Sequence, residues 1–289
     1  MGARPEESFA VRALDAPLGA EIVGLDLSKP LSASALARVR QALLDHLVIV
    51  FRDARLTPAD QVRLSEQFGV LQRHVLRQFA LASQPEILIV SNVIENGRPI
   101  GLGDAGKDWH SDLSYKPRPT LGSLLHAQEL PDTDGDTQFA NMYEALDTLP
   151  AADRAALDGR RATHSYVYRY ERLRALSDWR PPLTAAQIAE VSPVDHPAIR
   201  THPETGRKAL FINEGFTERV VGLSDDESRD LLKRVCDHCI RPNNIYTHKW
   251  QPRDLVFWDN RTTIHYAPGV EPPARRTLYR TSIEGDVPV

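Results

Sequence analysis

The sequence predicts a mainly β fold, a jelly-roll core with helices around it, from three observations. Helical periodicity is concentrated early, while the last third of the chain is a succession of short apolar strands. No strand–helix–strand alternation runs through it, which argues for an antiparallel core wrapped by helices. Two stretches with metal-type ligands, Trp109-His110-Ser111-Asp112 and Ile264-His265, lie far apart in the chain, and a jelly roll is the form that brings them together.

Residues 8 to 30 alternate apolar and polar positions, broken by Pro17-Leu18-Gly19 and Gly24, a pattern of short strands. Ser32 is placed to cap a helix with apolar positions Leu36, Val39, Leu43 and Leu44. Leu47 to Phe51 is an unbroken apolar run, hence a buried strand. Thr57-Pro58 opens a second helix, threonine at the cap and proline in the first turn, which stops at Gly69. Ile87 to Val90 and Leu121 to Leu130 read as strands. Between them, Asn96 to Lys107 carries four glycines and no periodicity, the mark of a mobile loop. Pro131 to Asp136 is a turn before Thr137-Gln138-Phe139, and two short helices follow near residues 142–149 and 151–158. The charged, proline-containing region 170–195 predicts a lid or insertion around residues 160–197. Ala198 to His202 and Ala209 to Ile212 flank Pro203-Glu204-Thr205-Gly206, a hairpin signal. Ser224 to Ile240 is the longest amphipathic helix, and strands at 245–250, 255–258 and 276–283 follow. No repeat and no linker interrupts the chain, so residues 1–289 read as one domain.

The chain is 42% hydrophobic and 26% charged, with a net charge of −4 and both signs dispersed. That leaves no basic stripe for nucleic acid. No apolar run approaches the roughly 18 residues of a membrane helix. Met1 to Glu7 lacks the apolar core of a signal peptide. Cys236 and Cys239 stand in a helical pattern with no second cysteine pair, so they read as packing residues. The expectation is a cytoplasmic protein without disulfides that takes a small-molecule partner, neither nucleic acid nor membrane, with homo-oligomerisation left open.

His110 and Asp112 are two residues apart, so on an extended strand both face one way. Two ligands do not hold a catalytic metal, and His265 is the best third. Two histidines and one carboxylate, with other positions open, form the donor set of non-haem Fe(II) oxygenases. A zinc hydrolase fits less well, because no general base is placed as in the HExxH pattern. Arg276 and Arg280 follow His265 and share a strand face, whereas Arg275 faces away. A guanidinium offers a planar fork that grips a carboxylate at two points.

With Gly135-Asp136-Thr137, Asn213-Glu214-Gly215-Phe216 and Trp258-Asp259-Asn260-Arg261, these motifs make the sequence resemble the taurine/aryloxyacetate dioxygenase family from about Leu18 to the C-terminus. The resemblance implies a double-stranded β-helix, a jelly-roll variant. It implies an enzyme that uses Fe(II), O2 and the cosubstrate 2-oxoglutarate, yielding succinate and CO2 as it hydroxylates a substrate C–H bond. It further implies His110, Asp112 and His265 as iron ligands, and Arg276 with Thr137 as the grip on the distal carboxylate of 2-oxoglutarate. Arg280 and His74 would bind the substrate's anionic group, between aromatic walls supplied by Tyr115 and Phe216.

A small anionic substrate of the taurine sulfonate type is favoured by Asn213-Glu214-Gly215-Phe216. An aryloxyalkanoate or other carboxylate is the alternative, and a non-catalytic small-molecule binder a distant one. Two positions depart from the taurine pattern: Arg77 replaces a tyrosine, and Gly106 replaces an asparagine. An inward-facing Arg77 would add a cation, and Gly106 would widen the site.

Overall fold

The computed structural model describes residues 8–132, 134–176 and 180–289. Met1 to Glu7, Thr133 of the expected turn and residues 177–179 of the expected lid lie outside the described residues. The centre is a nine-stranded sheet. Its main path runs Ala10–Ala13, Ala20–Val23, Val48–Phe51, Leu255–Asp259, Thr120–Glu129, Thr277–Glu284, Gln84–Ser91 and Ala80–Leu81, with Leu71–Gln72 also paired to Thr277–Glu284. Among the described residues only the Ala20–Val23 and Val48–Phe51 pair is parallel. A three-stranded sheet of Ile245–His248, Thr137–Asn141 and Thr263–Tyr266 lies against it.

The large sheet sorts its side chains by the two-residue period of a strand. Val48, Val50, Leu125, Val256, Trp258 and Leu278 share a core with Phe139, Tyr246 and Ile264 of the small sheet. The Phe139 and Trp258 rings meet across that core, 5.4 Å between centroids. Ile49, Phe51, Leu124, Leu255, Phe257 and Ile283 face the other way, into a core shared with two helices. The first, Ala33–His46, starts where the Ser32 hydroxyl accepts from the Ala35 N–H, and buries Ala35, Val39, Ala42 and Leu43. The second, Pro58–Glu66, is opened by a reciprocal cap between Thr57 and Asp60.

The architecture is therefore mixed, not mainly β, because helices cover the face that the small sheet leaves. Strands Arg161–His164, Val194–Pro197 and Thr217–Val220 form a further sheet, followed by the Asp225–Cys239 helix with a Ser224–Glu227 capping box. The segment expected as a lid thus starts and ends in paired strands, with helices Tyr166–Ala175 and Ala185–Glu190 between them. The Tyr166–Ala175 helix escapes sequence periodicity because its buried stripe is Tyr166, Arg169 and Tyr170, with an arginine in the middle. Both cysteines are free, and no described helix is long and apolar enough to cross a membrane.

Phe257 is fully buried on the helix-facing side. Phe257→Ala should cost about 3–5 kcal/mol of stability. Metal affinity of the folded fraction should hold, since the metal-type ligands lie on the opposite side of the sheet. Denaturant unfolding and metal titration on the same preparation check both halves; an unchanged midpoint would contradict this packing.

Candidate active site

The site begins with two backbone hydrogen bonds. The His110 N–H donates to the His265 carbonyl at 3.0 Å, and the His265 N–H donates back to the His110 carbonyl at 2.8 Å. This antiparallel bridge hangs the His110 segment on the Thr263–Tyr266 edge of the small sheet. The expected extended strand through Asp112 does not form. The chain turns after Ser111, with Leu113 in the left-handed region at φ 50°. The turn still brings Asp112 to the histidines, and one ligand atom from each of His110, Asp112 and His265 lies within 4.8 Å of the others, all buried.

Each ligand is oriented separately. Nδ1 of His110 donates to the Asp108 carbonyl at 2.8 Å, which assigns its proton and leaves the Nε2 lone pair 3.7 Å from Asp112 Oδ1. Nε2 of His265 lies 4.0 Å from the same oxygen, and its ring is wedged against Trp258, 4.8 Å between centroids. Burial, then His110, pushes the His265 pKa well below the usual range, so the ring is neutral. Burial alone raises the Asp112 carboxyl, but Arg280 and His265 overcome it and hold it well below the usual range. Two imidazoles and an ionised carboxylate fit Fe(II).

Asn260 explains much of the Trp258-Asp259-Asn260-Arg261 motif. Its Oδ1 accepts from the Asp112 backbone N–H at 3.0 Å and from Trp258 Nε1 at 3.0 Å. Its Nδ2 donates to Ser123 Oγ at 3.1 Å, and that hydroxyl donates to Asp112 Oδ2 at 2.7 Å. Asp259 and Arg261 brace the same loop in a buried two-point pair at 2.9 and 2.6 Å. Gly215 permits the Asn213-Glu214-Gly215-Phe216 loop to close on the site, since a Cβ there would stand 2.9 Å from His110 Cβ.

Arg276, just ahead of its strand, lines a cavity with His110, His265, Thr137 and Arg280. One of its terminal nitrogens donates to Thr137 Oγ1 at 3.2 Å, and its Nε has no partner. Among the described residues no carboxylate pairs with it. Burial, partly offset by Asp136, pushes its pKa down to about 10. Gly135, at φ +80°, leaves room for it, because a Cβ would meet Arg276 Cδ at 3.1 Å. Arg275, also ahead of the strand, is exposed and pairs with Glu129.

Arg280 sits between that cavity and a second one lined by His74, Leu76, Leu88 and Leu113. It donates to Asp112 Oδ1 at 2.6 Å and keeps an unpartnered buried Nε. His74 Nδ1 accepts from the Leu76 N–H at 3.1 Å. Burial, then Arg280, pushes the His74 pKa to about 3, so it is neutral and carries its hydrogen on Nε2. Tyr115 and Phe216 stand 5.0 Å apart between centroids, and Phe216 packs 5.9 Å from His110. The Tyr115 hydroxyl is buried without a partner. Arg77 is exposed and pairs with Glu190 at 3.2 Å, and it also lines the second cavity. One sequence expectation is corrected here. Gly106 does not widen the substrate side, because a Cβ there would stand 2.8 Å from that of Ala267.

Sequence reasoning missed three residues of this region. Tyr166 completes the ring cluster, 4.8 Å from Tyr115. Arg169 grips buried Asp108 through Nε at 2.9 Å, just ahead of His110. Trp250 borders Thr137 and Arg276. The i, i+3, i+4 spacing of Tyr166, Arg169 and Tyr170 was the available signal for the first two.

Residues 10–282 match the family described as Taurine catabolism dioxygenase TauD, TfdA family, and the chain belongs to it. It is an Fe(II)- and 2-oxoglutarate-dependent dioxygenase, using O2 as co-reactant. Pentalenolactone F synthase of Streptomyces arenae is 35% identical over 272 residues, 91% of this chain and 91% of that protein. The alpha-ketoglutarate-dependent 2,4-dichlorophenoxyacetate dioxygenase of Cupriavidus pinatubonensis is 31% identical over 280 residues, 93% of this chain and 96% of its own. A crystal structure of a taurine dioxygenase from Burkholderia xenovorans superposes with a TM-score of 0.81 at 33% identity, covering 98% of this chain and 91% of that one.

Asn260→Ala removes the link between Asp112, Trp258 and Ser123 while sparing every ligand atom. Metal affinity should fall about 10- to 100-fold, as for other groups that orient metal ligands. Equilibrium metal titration checks it, and parent-like affinity would strip Asn260 of this role.

Proposed function

We propose that this dioxygenase hydroxylates a small organic anion held by Arg280 and His74, a sulfonate of the taurine type ahead of a carboxylate. His110, Asp112 and His265 hold the iron, and Arg276 with Thr137 holds the distal carboxylate of 2-oxoglutarate. The observation that carries this reading is a buried guanidinium, Arg276, that no carboxylate among the described residues pairs with, in the same cavity as His110 and His265. An uncompensated buried cation is costly, and a bound carboxylate removes the cost. With its cosubstrate and O2, the iron supplies the oxidation that turns a C–H bond into C–OH.

The chain's own residues supply binding and orientation. Arg280 and His74 both line the second cavity, and each has a side-chain N–H to give, Arg280 Nε and His74 Nε2, suited to an anionic group beside Asp112. Tyr115 and Phe216 form apolar walls next to His110 and exclude water from the reacting carbon. We read the two facing sheets as a double-stranded β-helix and residues 1–289 as one cytoplasmic domain, with a lid or insertion around 160–197. One observation favours a second reading, an aryloxyalkanoate substrate: Phe216 packs beside His110, and Tyr115 and Tyr166 pack behind it, a ring cluster that suits an aromatic body.

Arg276→Lys keeps the charge and loses the fork, so 2-oxoglutarate affinity should fall on the order of ten- to a hundredfold. Anaerobic titration of the Fe(II) protein, read by its visible charge-transfer band, measures this; unchanged affinity would remove Arg276 from the site. Succinate release across sulfonates, aryloxyacetates and dicarboxylates tests the substrate class. Arg280→Ala should raise KM strongly for the preferred anion while substrate-free 2-oxoglutarate binding stays near the parent value. A preferred compound without charge, or one that Arg280→Ala handles normally, defeats the anion reading.

A further inference from the structure

We infer that Trp250 is a positioning residue that forces the Thr137 hydroxyl to act as a hydrogen-bond donor toward the cosubstrate carboxylate. This rests on the reading that Arg276 and Thr137 hold that carboxylate. The indole Nε1–H of Trp250 donates to Thr137 Oγ1 at 3.0 Å. Arg276 donates to the same oxygen at 3.2 Å. A hydroxyl has two acceptor lone pairs and one hydrogen. Both lone pairs are therefore engaged by donors, and the hydrogen is the only capacity left. No acceptor for it occurs among the described residues. Thr137 lines the cavity with Arg276, His110 and His265, so the hydrogen is available to an anion there. Without the indole N–H, one lone pair would be free and the hydroxyl could rotate to accept instead.

Trp250 is itself held in place. Its ring meets that of His248 edge-on, 4.6 Å between centroids. His248 is fixed at both nitrogens: Nδ1 accepts from the Tyr246 hydroxyl at 2.8 Å, and Nε2 donates to Asp254 Oδ2 at 3.1 Å. The Arg276 guanidinium carbon lies 5.7 Å from the Trp250 ring centre, within cation–π range. The indole therefore touches both groups of the anion grip and belongs to neither. Its neighbours are buried side chains of the small sheet, so its orientation is set by the fold.

The test is anaerobic titration of the Fe(II) protein with 2-oxoglutarate, and in parallel with 2-oxopentanoate, which lacks the distal carboxylate. Trp250→Phe keeps the ring and removes the N–H. It should weaken 2-oxoglutarate binding about five- to tenfold, the worth of one ordinary hydrogen bond. Thr137→Val should weaken it by a similar factor, and the double variant by no more than Thr137→Val alone. Affinity for 2-oxopentanoate should change less than twofold in all three. If Thr137→Val weakens 2-oxoglutarate binding and Trp250→Phe does not, the inference fails and the cosubstrate reading stands. If Trp250→Phe weakens 2-oxoglutarate and 2-oxopentanoate binding equally, the damage is general and the inference fails. If neither Thr137→Val nor Arg276→Lys affects 2-oxoglutarate, the cosubstrate reading fails, and this inference with it.

Discussion

The site depends on one reciprocal pair of backbone hydrogen bonds, between His110 and His265. They pin an irregular loop to a strand whose position the sheets have already determined. Everything else refines this junction. Asn260 takes the Asp112 N–H, and Ser123 takes the outer carboxylate oxygen. Asp108 takes the His110 ring proton and is itself gripped by Arg169. Backbone bonds set the spacing to a fraction of an ångström; the side-chain bonds set which atom of each ligand faces inward.

Charge is distributed unevenly around that junction. Two buried pairs are locally neutral: Arg169 with Asp108, and Arg261 with Asp259. Arg280 shares the Asp112 carboxylate with the two histidines. Arg276 stands apart, buried and paired to no carboxylate among the described residues. A folded chain tolerates such a group where a ligand of opposite charge completes it. The contrast between neighbouring guanidiniums, paired and unpaired, sets the Arg276 end of the cavity apart, and Arg280 borders both this cavity and the second one.

Much of the scaffold was legible because local chemistry and global fold agree. Ser32, Thr57 and Ser224 each announce a helix start, and each is a cap in the structure. The apolar runs at Val48–Phe51 and Leu255–Asp259 are central strands of the large sheet. Misreadings came where a rule of local pattern met a tertiary exception. The Tyr166–Ala175 helix buries an arginine, so its stripe does not read as apolar. Asp112 reaches the histidines through a turn, which the two-residue spacing alone does not reveal. Gly106 looked like a lost side chain and is a point of close contact with Ala267.

The sequence by itself determined the donor types, their order and the spacing of Arg276 and Arg280. Those follow from covalent connectivity, which needs no partner. Only the tertiary structure decided which remote groups share a hydrogen: the indole of Trp250 on Thr137, the Asn260 amide on Asp112, the Arg169 fork on Asp108. It also decided that Arg77, on the lining of the second cavity, is exposed and pairs with Glu190. The reason is physical. Hydrogen bonds and buried ion pairs depend on distances of a few tenths of an ångström between residues far apart in the chain, and no local pattern encodes them.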